Sequence, residues 1–279
     1  MKIQILLGSV ALVGAGMIAQ GALAQGPGQA AVGLAQQQGR ARPPAPPAEQ
    51  AAPIDLTGYW ASAVTEDWRW RMLTAPAGDY ASVPLNPAGQ AIAKQFNPAP
   101  YGSGWTQTID CRAYGAAGLM RMPTRVHITW VNPNQLQIQS DWGEQTRQIY
   151  FNRQDMPHDA PSAQGSSLAD WIVPRNVVFA FGRARGPQPK PVNGKLHVVT
   201  DNLAPGWLRR NGVPYGAQTH MTEWYQTFTD PTGMHWFDVT TQVEDSEYLQ
   251  APFITSSDFR QEADGSKWAP HPCKVVAAD

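Results

Sequence analysis

The chain has 279 residues, with 21 lysines and arginines against 22 aspartates and glutamates, for a formal charge of −1. That balance, with no basic stripe and no nucleic-acid motif, excludes a polyanion as the natural partner. Two widely separated cysteines exclude a zinc or haem-attachment motif.

Lys2 precedes an apolar run over residues 3–24, interrupted by Gly8, Gly14, Gly16 and Gln20 and ending in Ala22-Leu23-Ala24. This layout predicts a secretory signal peptide cleaved after Ala24 and a periplasm-like destination. A membrane-spanning helix is the alternative; the interruptions and the small-x-small site speak against it. No later stretch reaches the roughly 20 apolar residues of a span, so no integral membrane segment is expected in the mature chain. Residues 25–53, rich in Ala, Gly, Gln and Pro, predict a disordered tether. Residues 54–275 suit a single all-β domain, and residues 276–279 a short tail.

Leu56-Thr57-Gly58-Tyr59-Trp60 opens the domain as a strand. A Gly-x-Trp strand just after a tether resembles the first strand of lipocalin-like barrels. Residues 66–72 alternate Trp68, Trp70 and Met72 with Asp67, Arg69 and Arg71, which predicts a second strand. Asn86 as cap and Pro87 at the first helical position predict a helix over 86–96. Residues 111–123 read as a Gly/Ala-rich loop, residues 125–131 and 135–139 as a hairpin, and residues 145–151 as its neighbour. Residues 156–169 and 182–194 read as loops, residues 196–200 as a strand, and Pro205-Gly206 as a turn.

Residues 218–229 and 234–244 flank Asp230-Pro231-Thr232-Gly233, a type I turn signature. Pairing Thr229 with Met234 places Glu223 and Tyr225 on one face with Trp236, Asp238 and Thr240. Residues 253–259 form the last strand. Short strands with few helical windows predict an all-β fold with one or two short helices: an antiparallel lipocalin-like barrel or a curved sandwich.

The order of several blocks carries a family resemblance. They are Leu56-Thr57-Gly58-Tyr59-Trp60, Pro84-Leu85-Asn86-Pro87-Ala88-Gly89, Cys111, Arg147-Gln148-Ile149-Tyr150, Gly212-Val213-Pro214, Thr222-Glu223 and Val243-Glu244-Asp245 with Tyr248 and Pro252. The domain resembles a widespread family of exported bacterial proteins with no assigned activity. Tyr215-Gly216 stands where that family has His-Ser, and Trp224 where it has Arg. The resemblance implies export and a β fold, and no chemistry.

In an oxidising compartment, Cys111 and Cys273 are expected to form a disulfide, and the position of Cys273 near the chain end argues against the rival reading as a catalytic thiol. Glu223 and Asp238 lie near-diagonal in the expected register, roughly 7–8 Å apart at Cα, a workable spacing for an acid/base pair. Arg147, with its facing opposite to Thr146 and Gln148, either binds a ligand carboxylate or carbonyl, or forms a buried ion pair with Glu223 or Asp238. Tyr225, Trp236 and Thr240 complete a ligand-binding face. No metal, cofactor or Ser-His-Asp signature is readable.

Three functions fit these residues. The first is binding of a small, largely apolar molecule in an aromatic-lined barrel cavity, with Arg147, Glu223 and Tyr225 orienting it. The second is a cofactor-independent hydrolase, lyase or isomerase using Glu223 or Asp238 as base. The third is a structural envelope protein. A barrel interior filled by side chains would leave no room for the first two.

Overall fold

The computed structural model describes residues 45–97, 111–174 and 193–273. The expected signal peptide, most of the tether, nearly all of the 182–194 loop and the final tail lie outside them. In chain order the strands are β1 (Gly58–Ala63), β2 (Arg125–Asn132), β3 (Gln135–Ser140), β4 (Trp142–Gly143), β5 (Thr146–Tyr150), β6 (Ser166–Ile172) and β7 (Lys195–Asp201). They continue with β8 (Gly206–Arg209), β9 (Val213–Tyr215), β10 (His220–Thr229), β11 (His235–Glu244), β12 (Phe253–Glu262) and β13 (His271–Pro272). Among the described residues four short α-helices accompany them: α1 (Ala48–Ala51), α2 (Trp68–Arg71), α3 (Pro87–Lys94) and α4 (Ala116–Leu119).

Nine strands close into a barrel in the order β1-β12-β11-β10-β7-β6-β5-β3-β2. The all-β barrel expected from the alternating pattern is therefore present. An odd number of strands cannot alternate direction all the way round a closed wall. Here the odd step is β5–β6, which pair in parallel through only Ile149–Ser167 and Tyr150–Leu168. A parallel neighbour needs a crossover rather than a tight hairpin. Residues 151–165 supply it outside the wall.

Alternation packs the interior. Trp60, Val126, Ile128, Leu136, Ile149, Val198, Phe237 and Phe259 point inward and are fully or almost fully buried. Phe237 stacks on Phe259 (4.7 Å between ring centres) and meets the edge of Trp60 (5.0 Å). A second core, including Leu85, Ala93, Leu208, Tyr215, Met221 and Phe253, joins α3, α4 and β8–β9 to the wall. In α3, Asn86 caps as expected, its side-chain oxygen accepting from Gly89 N–H at 3.0 Å.

The Asp230–Gly233 turn sets the register of the longest hairpin. Gly233 N–H donates to Asp230 O (2.9 Å) and Gly233 takes φ +87°. Asp230 N–H then donates to Met234 O (2.9 Å), so Thr229 faces His235 rather than Met234. This is a type I turn followed by a left-handed glycine, which inserts one residue into the return strand. A one-residue slip turns every β11 side chain over. Phe237, Val239 and Thr241 point inward with Glu223 and Tyr225, whereas Trp236, Asp238 and Thr240 point outward.

Other expectations need correction. Residues 66–72 hold the short helix α2 rather than a strand: Asp67 takes φ +51°, and buried Arg71 bonds Glu66, Ser62 Oγ and Arg121 O. Three alternating positions are too few to separate a strand from one helical turn. Residues 45–53 pack on the barrel, with Trp171 Nε1 donating to Ala48 O (2.8 Å) and Ala48 N to Asn134 Oδ1 (2.9 Å). The segment 111–123 contains a 3-10 turn and α4, and the segment expected as a loop over 156–169 becomes β6 from Ser166. Cys111 and Cys273 are disulfide-bonded, with Cα atoms 5.1 Å apart. The bond ties the 3-10 turn to β13, which pairs with β4.

Candidate functional site

Three of the expected site residues meet inside the barrel. Arg147 on β5 and Glu223 on β10 lie across two intervening strands, and Arg147 Nη2 donates to Glu223 Oε2 at 2.5 Å. Tyr225 O–H donates to Glu223 Oε1 at 3.0 Å. Arg147 also donates to Ser167 Oγ (3.1 Å) and Thr200 Oγ1 (2.8 Å), while its Nη1 has no partner among the described residues. Burial pulls the Arg147 guanidinium down, but the neighbouring Glu223 charge and Tyr225 outweigh it and hold it above its usual range. Burial, then Glu223, pushes the Tyr225 hydroxyl well up.

This knot is buried: Glu223 and Tyr225 are 0 % exposed and Arg147 is 1 % exposed. Both Glu223 oxygens are already occupied. The ring-rich interior expected for a ligand cavity exists, but its rings close on one another. Trp236, Asp238 and Thr240 do not join the knot, because the glycine turn rotates them to the outer wall. Asp238 instead faces Asp258 directly across β11–β12 and accepts from Ser256 Oγ at 3.0 Å. Burial, Glu66 and Asp238 together raise the Asp258 carboxyl above its usual range.

One concave space lies on the outer wall. Residues 151–165 arch over the outer face of β6 and β7 and leave a cleft of about 720 Å³. Leu168 and Val199 form its floor; Phe151, Met156 and Pro157 come from the arch. Its polar groups are Arg153, His158, Asp159, Asp170, Asp201, Ser166 and Asn202. The arch is anchored: Asn202, at φ +60°, donates from Nδ2 to Asp159 O (3.0 Å), and Ser162 N–H donates to Asn202 O (3.2 Å).

The outward residues form three rows across the wall. Asp170 faces His197, which faces Trp224; Leu168 faces Val199, which faces Thr222; and Ser166 faces Asp201. His197 Nδ1 lies 2.8 Å from Asp170 Oδ1, and His220 Nδ1 lies 2.6 Å from Asp201 Oδ1. A histidine–aspartate pair thus stands on each side of Leu168 and Val199. Ser166 and His220 flank Asp201 on opposite sides, so the three do not form a Ser-His-Asp relay, in which histidine stands in the middle. Among the described residues, no group of three His, Cys, Asp or Glu side chains can hold a metal ion.

Sequence reasoning misses this site because residues 156–169 read as a loop, which hides the first half of β6. The signal was present: Ser167, Ala169 and Trp171 alternate with Ser166, Leu168 and Asp170, and once β6 pairs with β7 the rows follow by subtraction. No family model matches the chain, and neither a curated protein nor a solved structure does.

Proposed function

We propose that this is an exported binding protein that takes a small molecule in the outer cleft under residues 151–165, not in the barrel lumen. The observation that carries the reading is the cleft itself. A volume near 720 Å³ falls within the range of small-molecule sites, and the cleft sets seven polar groups around an apolar floor. Export and membership of the resembling family are part of the same reading, supported by the disulfide. Among the described residues no helix is long and apolar enough to cross a membrane.

The geometry does not favour Glu223 as a catalytic base. A carboxylate bonded on both oxygens and sealed from water has no route to a substrate proton. The test is ligand-observed NMR against a small-molecule library, repeated on Val199→Trp, whose indole fills the cleft floor. Hits lost in that variant support the reading. Hits that survive it, or no hits at all, overturn it.

A further inference from the structure

Resting on that reading, we infer that the ligand carries two positive charges separated by an apolar chain, as in a long aliphatic diamine or a triamine. Asp170 and Asp201 mark the two ends of the cleft. Both point outward from the wall, and their side chains are 66 % and 60 % exposed. Asp170 sits opposite His197, and Asp201 is four residues further along β7. Strand rise and strand spacing place their Cα atoms ~14 Å apart. Between them lie Leu168 and Val199, which offer no polar group to a ligand's middle.

Each end carboxylate is held in place by an imidazole Nδ1 at one oxygen, which leaves the other oxygen for a guest. Three carboxylates, Asp159, Asp170 and Asp201, line the cleft against one guanidinium, Arg153. On the formal charges of these four side chains two negatives remain, matching two ammonium groups. Phe151, packed against Trp130 and Trp171, adds further apolar lining beside the floor. A carboxylate-bearing lipid or a nucleotide meets the wrong sign here.

Isothermal titration of the whole protein with diaminobutane, diaminooctane, octylamine, octanol and octanoate tests the inference. An extended chain of roughly eight methylenes suits the gap once a hydrogen bond is made at each end. Diaminooctane is expected to bind about fivefold tighter than octylamine, the worth of one partly exposed ion pair. Asp170→Asn and Asp201→Asn each abolish that preference, added salt narrows it, and Asp258→Asn, outside the cleft, leaves it intact.

Equal affinities for diaminooctane, octylamine and octanol, all lost in Val199→Trp, overturn the dication while leaving the cleft as the site. A preference that survives both aspartate substitutions also overturns it. Tighter binding of octanoate than of octylamine inverts the charge and overturns it as well. If none of the probes binds, the dication falls, and the library screen then decides the fate of the cleft separately.

Discussion

Arg147 grips Glu223 at 2.5 Å in a space closed to water, with Tyr225 on the carboxylate's other oxygen. The pair stitches β5 to β10 over β6 and β7, at the level where the barrel interior meets the second core. Its energetics are those of a buried ion pair.

Removing one partner leaves the other charged and unmatched. Glu223→Gln or Arg147→Met is expected to cost about 3–5 kcal/mol of unfolding free energy in urea. The double variant Arg147→Met/Glu223→Leu is expected to cost less than either single change, because no charge is then stranded. Additive losses would mean that the two groups are independent.

Gly233 holds the turn at φ +87°, and an added Cβ there meets nothing within 4 Å. Gly233→Ala therefore carries only the backbone penalty, about 1–2 kcal/mol, and Gly233→Asn less. Chemical denaturation of the two variants checks the order. A null effect for alanine would mean that the turn is not left-handed at this residue.

The disulfide closes a sequence separation of 162 residues. The chain-entropy treatment gives about 5 kcal/mol for such a loop, as an upper bound. Urea unfolding with and without reductant, or of Cys111→Ser/Cys273→Ser, is expected to show a lowered midpoint and a steeper slope, because the released denatured chain exposes more surface.

Asp258 sits opposite Asp238, with its folded-state carboxyl shifted upward by burial, Glu66 and Asp238. The folded chain holds this proton more tightly than the unfolded one. Its stabilising contribution is therefore complete below the unfolded carboxylate range and is lost as pH rises through the higher folded value. Asp258→Asn is expected to gain about 0.5 kcal/mol at neutral pH, a figure kept small by solvent screening. The gain should vanish in acid, as thermal unfolding across that range would show.

Much of the wall was legible. Long alternating runs such as residues 125–131 and 220–229 encode which side chains face in, and burial follows that code. The helix at Asn86-Pro87 was legible because its cap is local chemistry. What failed were the features set by one residue or by distant partners. Gly233 adds a single position, which suffices to send Asp238, Trp236 and Thr240 outward. β6 carries small and polar residues inward, Ser167 against Arg147 and Ala169 in the core, so its alternation is muted until β7 stands beside it. The cleft arises from residues 151–165 meeting β6 and β7, and no short window contains it.

The parity of the wall has a last consequence. Because two adjacent staves run the same way, the chain must travel back along the outside before it can re-enter, and that return limb roofs the recess beneath it. A cousin with an even count of staves could close by hairpins alone, would need no such detour, and would lose the recess along with it.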